Sequence, residues 1–168
     1  EEAIPLVKLM EDYKFFKRLF RHEFIFDHRK GDAEEVHEAL AYLLDRGMVA
    51  GLEEGGEAWI EVKGRGRTNL RPYAGLIQNY IESYWVVIRA CAYLVRGSLS
   101  EKDFLKKIRG LGDKMFQKGE IRRAEALSQS NYINALRFLE DAGVITVSEE
   151  TVKGEKRPVR FWSIVEDR

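Results

Sequence analysis

The sequence is short of most features that mark a specialised chain. It has a single cysteine, Cys91, so no intramolecular disulfide can form. With Ile88, Ala90 and Ala92 around it, Cys91 reads as a small core side chain in a reducing compartment, which points to the cytoplasm. Only three prolines among 168 residues, with 45% hydrophobic and 11% aromatic content, exclude a disordered chain. Neither charge is in excess: Lys plus Arg and Asp plus Glu both total 28. That argues against a nucleic-acid binder relying on a bulk basic field and leaves only local basic stripes. The longest uninterrupted apolar stretches, such as Tyr84 to Ile88, fall far short of the roughly 20 residues a membrane span needs. The opening Glu-Glu-Ala-Ile-Pro lacks the basic start and apolar run of a secretory signal, and there is no initiating Met, so the chain reads as a portion of something longer. What remains is a globular composition of one domain, or two very small ones, able to bury roughly 70% of its unfolded surface.

Apolar residues spaced by three and four (Leu6, Leu9, Met10, Tyr13, Phe16, Leu19, Phe20) predict a helix between Ile4 and Phe20. Glu23 to Asp27, aromatic and β-branched, reads as a short strand. A second helix follows, with Asp32 as N-cap, Glu34 and Glu35 in its first turn, Val36, Ala39, Leu40 and Leu43 on one face, and Gly47 as a left-handed stop. Met48 to Leu52 and Ala58 to Lys63 form a hairpin, and Lys63 to Arg67 reads as its basic exit. A long central helix is predicted from about Asn69 to Arg96, with Pro72 in its first turn and Gly97 past its end. Ser100 caps the next helix, whose continuation past Gly110 and Gly112 is left open. Ser128 or Ser130 starts the last helix, ended by Gly143. Val144 to Ser148 and Arg160 to Val165 then make a second hairpin with a more basic tip.

The two helix-to-hairpin junctions echo each other. Ala39-Leu40-Ala41-Tyr42-Leu43 through Gly47-Met48-Val49 aligns with Ala135-Leu136-Arg137-Phe138-Leu139 through Gly143-Val144-Ile145, each residue 96 positions after its counterpart. Helix, glycine stop and paired strands make the pattern of a winged helix. Duplication explains the echo, and so does the generic form of any amphipathic helix stopped by glycine before a hairpin. The expected fold is mainly α with small β-hairpins, an α+β chain of two winged-helix-like units, residues 1–67 and 99–168, joined by the central helix, 68–98.

Candidate chemistry is sparse. His28 and Asp32 could form an oriented general base, but they lie in a charged loop beside Gly31, where a solvated loop is the simpler reading. His22 and His37 have no metal-ligand partners at helical spacing, and no phosphate-loop, dinucleotide or nucleophile-elbow motif occurs. No catalytic residue, cofactor or metal is assigned. Two basic clusters, Lys14, Lys17, Arg18 and Arg21 on the first helix and Lys63, Arg65, Arg67 and Arg71 in the run into the central helix, could meet phosphates on an anionic membrane surface or on a substrate. Arg65 and Arg67 are the membrane contacts expected of the second cluster; a merely solvated face is the plainer alternative for both. A duplex-DNA alternative rests on the second unit, with Ser130 and Asn131 opening its last helix and Lys156, Arg157 and Arg160 in its wing. The corresponding helix of the first unit carries Asp32, Glu34, Glu35, Glu38 and Asp45, which would repel a phosphate backbone.

Three blocks together resemble one family: Phe16 to Phe26, Leu76 to Val87 and Asn134 to Ile145, the most specific element being Glu82-Ser83-Tyr84-Trp85-Val86-Val87. They are similar to the region C-terminal to the catalytic domain of glycerol-3-phosphate 1-O-acyltransferases of the bacterial and mitochondrial membrane-associated type. The resemblance implies a chain that packs against an acyltransferase domain absent from this sequence, with Tyr84, Trp85 and Val86 serving the core or that interface, and a location peripheral to the inner membrane. The parent activity it implies is transfer of a fatty acyl group from acyl-CoA or acyl carrier protein to the 1-hydroxyl of glycerol 3-phosphate. The family's Asn-His-x-x-x-x-Asp and Glu-Gly-Thr-Arg motifs are missing here, so no catalytic residue carries over.

Overall fold

The computed structural model describes residues 3–152, 154 and 157–165. It is mainly helical with two small antiparallel sheets, an α+β architecture, and it divides into two compact units between Leu76 and Ile77.

The first unit runs β1 (Ala3–Pro5), α1 (Leu6–Leu19), α2 (Asp32–Asp45), β2 (Val49–Glu54), β3 (Glu57–Val62) and the opening of α3 (Gly64–Ala90). Its sheet has the order β1-β3-β2, with Ile4 opposite Ile60 and Val49 opposite Val62. This register sets Val49 and Ile60 into the core beside Val36 and Leu40 of α2, where Leu9, Met10, Tyr13, Leu43 and Leu70 pack against them.

The first unit departs from the sequence pattern at several points. Residues 23–27 form no strand. Glu23 and Phe24 donate their backbone N–H groups to the Phe20 carbonyl at 2.9 and 3.1 Å, a turn continuing from α1. The aromatic residues there build a chain of ring contacts, Phe16 to Phe20 to Phe24 to Phe26, and Ile25 is fully exposed, so the alternation a half-buried strand needs is missing. The residues before Leu6 join the sheet rather than α1, since Pro5 fits an edge-strand end and a helix entry alike. Asp32 does not cap α2: Gly31 holds that position, and the Asp32 carboxylate takes a bond from Lys17 Nζ at 3.0 Å.

Helix α3 begins at Gly64, so residues read as a hairpin exit are helical and Pro72 lies well inside rather than in the first turn. The two glycines concealed this start, because glycine is a weak helix former. Gly66 is required by packing: a Cβ there would lie 2.6 Å from the Met48 carbonyl carbon. At its far end α3 tightens into a 3-10 segment, Cys91–Arg96, before Gly97.

The second unit contains the rest of α3, then β4 (Leu99–Ser100), α4 (Glu101–Gln117), a short 3-10 turn (Ala124–Leu127), α5 (Gln129–Asp141), β5 (Ile145–Glu150) and β6 (Val159–Ile164). Ser100 caps α4 as expected, its hydroxyl accepting from the Asp103 N–H at 3.1 Å. Helix α4 passes through Gly110 and Gly112 unbroken. The core is larger than that of the first unit: Val86, Val87, Ala90, Phe104, Ile108, Met115, Ile121, Tyr132, Leu136 and Ile145 are all essentially inaccessible.

The echo seen in the sequence extends to backbone detail. Both units run strand, helix, helix, strand, strand, and both sheets place the third strand between the first and second. Gly47 and Gly143 adopt φ of 62° and 71°. Around each, the same pair of bonds closes the helix: Met48 N to Leu43 O and Gly47 N to Leu44 O, against Val144 N to Leu139 O and Gly143 N to Glu140 O.

Candidate interaction surfaces

The block Glu82 to Val87 lies on α3 in the second unit, and each residue has a distinct task. Glu82 Oε2 accepts the backbone N–H groups of Arg122 and Arg123 at 2.9 and 2.8 Å, while Oε1 takes the Gln78 amide at 3.0 Å. The Ser83 hydroxyl is fully buried, 2.8 Å from the Asn79 carbonyl and 2.9 Å from that of Ala126, and it accepts from Asn131 Nδ2 at 3.1 Å. These contacts fasten residues 122–131 to α3. Tyr84, Val86 and Val87 fill the core. The fastening roles of Glu82 and Ser83 are not visible in the pattern of apolar residues. Their one signal is two polar side chains in succession within a helical stretch rich in apolar residues.

Trp85 faces outward, 49% exposed, whereas Tyr84 and Val86 are enclosed. Ile81 and Ile88 stand four residues before and three after it on the same helix face, and both are more than two-fifths exposed. An α3 face thus carries three large unburied apolar side chains in a row, more than scattered surface residues require.

The basic cluster of α1 splits in two. Lys17 is committed internally: its ammonium bonds Asp32 at 3.0 Å and also pairs with Glu35, which receives the Tyr13 hydroxyl at 2.6 Å. Those bonds raise the Lys17 pKa and hold the Glu35 carboxyl below its usual range, Lys17 being the larger cause and Tyr13 the next. Lys14, Arg18 and Arg21 are exposed. Beside them stand the exposed Phe15, Phe24 and Ile25. Arg65 and Arg67 are exposed too, but two positions apart on a helix they diverge by roughly 200°. Arg67 instead shares a groove of about 590 Å³ with Arg71, floored by Ile4, Val62, Leu70 and Ala74.

Among the residues named for DNA, Asn131 is buried and bonded to Ser83. The Ser130 hydroxyl meets that of Ser128 at 2.8 Å. Arg160 lies 3.5 Å from Glu101 and over the Trp162 ring. Arg157 is exposed, and Lys156 lies outside the described residues. His28 is exposed in a turn and Asp32 is engaged by Lys17, so the two do not form a dyad. Among the described residues no group of three or more His, Cys, Asp or Glu is arranged to hold a metal ion, and no helix is long and apolar enough to cross a membrane.

Fold and surfaces together define a class: an α+β chain of two helix-and-hairpin units with an unburied apolar helix face and exposed basic edges. The chain belongs to the glycerol-3-phosphate acyltransferase C-terminal region family, whose model matches residues 1–148. No curated protein matches it. Among solved structures it is similar to the circadian clock associated protein Pex from anabaena, at 19% identity and a TM-score of 0.30, over 52% of this chain and 64% of that one. The chain therefore spans just under two-thirds of that protein's length, and at such a score no conclusion about fold follows.

Proposed function

We propose that this chain is the non-catalytic, scaffolding portion of a glycerol-3-phosphate 1-O-acyltransferase, in which it docks on the acyltransferase domain that moves an acyl group from acyl-CoA or acyl carrier protein to glycerol 3-phosphate. Family membership supports the link to that enzyme. The observation that carries the docking is the Ile81, Trp85 and Ile88 face of α3, whose middle residue belongs to the block most specific to the family. Large aromatic anchors flanked by aliphatic side chains are what a buried protein interface uses. Each unit is read as a winged-helix variant whose strands and helices serve as a packing scaffold. The exposed Phe15, Phe24 and Ile25 among Lys14, Arg18 and Arg21 support a cytoplasmic position against anionic membrane lipid, with apolar side chains entering the headgroup layer and cations meeting phosphates.

The test is made in the whole enzyme. Replacing Trp85 and Ile88 together by Glu is expected to lower acyl transfer to glycerol 3-phosphate, and the isolated chain carrying the same changes is expected to keep its circular dichroism. Transfer by the isolated wild-type chain, or full activity of the doubly substituted enzyme, overturns the reading.

A further inference from the structure

A pocket of about 360 Å³ opens in the second unit between α4 and the start of α5. Lys102, Lys106 and Arg109 follow helical spacing along one face of α4, so all three heads reach the same pocket. Each is exposed, and among the described residues none has an ion-pair partner. Among the described residues no carboxylate lines the pocket. Of the acids near it, Glu101 faces Arg160 at 3.5 Å and Asp103 takes the Ser100 hydroxyl at 2.7 Å, while Asp113, close enough to act on Tyr132, offsets part of the positive charge beside Arg109. The opposite wall is the first turn of α5. There the Ser128 side chain makes no capping bond to the first N–H groups of the helix. Tyr132 completes the lining and carries a buried hydroxyl without a hydrogen-bond partner. Like charges held together on one helix face repel one another, and an anion bound between them removes that repulsion.

We propose that this pocket binds a phosphomonoester, with Lys102, Lys106 and Arg109 supplying the charge and the α5 N-terminus supplying amide donors. Three cations beside a helix N-terminus match a group with close to two negative charges and three terminal oxygens, whereas a carboxylate would use only part of them. Two apolar wall residues, Leu105 and Leu127, are too few to enclose an acyl chain. Every group in the pocket belongs to this unit, so the site stands whether or not the docking of α3 on an acyltransferase domain holds.

The test titrates the 168-residue chain with inorganic phosphate, and separately with phosphatidylcholine vesicles with and without phosphatidic acid, following the amide resonances of α4 and α5. Saturable shifts at those helices are expected. Arg109→Gln and Lys106→Gln should each weaken binding about tenfold. Lys107→Gln should leave it unchanged, since that ammonium lies 5.2 Å from the Tyr93 ring centre and does not line the pocket. Saturation by free phosphate with no vesicle retention assigns a soluble phosphomonoester. Retention on phosphatidic acid vesicles that Arg109→Gln abolishes assigns a lipid headgroup. Saturation by neither probe, or equal losses for Lys107→Gln and Arg109→Gln, overturns the site.

Discussion

At the scale of single residues, the second unit depends on polar groups placed where apolar ones would be expected. Glu82 satisfies two consecutive backbone N–H groups, at Arg122 and Arg123, in a stretch without regular structure of its own. Glu82→Ala is expected to cost about 2 kcal/mol of unfolding free energy, as bonds to a charged acceptor are lost and two donors are left to find water. A urea titration of the chain measures this, and an unchanged midpoint would show that solvent replaces the carboxylate at no cost. Gly112 shows the opposite constraint. A Cβ there would stand 2.5 Å from the Tyr132 hydroxyl and 3.0 Å from Leu127 Cδ2, so Gly112→Ala should destabilise by about 1–3 kcal/mol through overpacking. Tyr132→Phe removes the obstructing oxygen, which is also an unpartnered buried hydroxyl. That change should be neutral or stabilising alone and should recover most of the Gly112→Ala loss in the double variant, a coupling that a double-mutant cycle reads directly. Cys91 behaves as its neighbours imply: burial pushes its thiol up to about 11, so it should resist alkylation at neutral pH until the unit unfolds.

At the scale of elements, α2 and α5 are legible in the sequence because apolar periodicity and a left-handed glycine agree in each, α4 because periodicity and the Ser100 cap agree at its start, and both hairpins because β-branched runs flank polar turns. Gly47 and Gly143 mark their helix ends to the residue. The failures have physical causes. At residues 23–27 aromatic content mimics a strand while the side chains stack on one another, and at Gly64–Arg67 glycine hides a helix start that packing against Met48 requires. Of the interaction surface, the α3 block could be picked out, but not which of its residues face outward, because burial alternates within it and Trp85 sits between two enclosed neighbours. The α1 cluster was legible as charge only; the carboxylates that claim Lys17 come from α2, a contact that linear spacing does not encode. That contact makes the α1–α2 pairing pH-dependent. The Glu35 pKa is lowered by folding, so its contribution is present above the ordinary carboxylate range and disappears as pH falls through the lowered value. Melting temperature of the first unit should therefore drop on acidification. Lys17→Met should flatten that dependence, and an acid profile unchanged by the substitution would show that the ion pair does not govern it.

For the whole molecule, the decisive contrast is between two units of the same element order and unequal cores. Among the described residues, the buried hydrophobic side chains of the first unit are Phe20, Val36, Leu40, Val49 and Ile60. The second buries Phe104, Ile108, Met115, Tyr132, Leu136, Ile145 and Trp162 along with Tyr84, Val86, Val87, Ala90 and Leu94 of α3 and the segment after it. Each fully buried aliphatic or aromatic side chain contributes about 1.5–3 kcal/mol, and small cores are correspondingly marginal, so the first unit should open at lower free energy than the second. The tryptophans separate the two. Trp59 lies on β3 of the first unit and Trp162 on β6 of the second, each opposite a hairpin partner, while the exposed Trp85 reports little on either core. With Trp85→Phe as background, a chain retaining only Trp59 should show a lower urea midpoint than one retaining only Trp162, and native-state hydrogen exchange should find the slowest amides on α3 beyond Leu76, α4 and α5. Coincident midpoints would mean that the chain unfolds as one cooperative body and that the larger core stabilises the smaller. Separated midpoints would identify the second unit as the stable platform, the one that carries the exposed face of α3 and the cation-lined pocket.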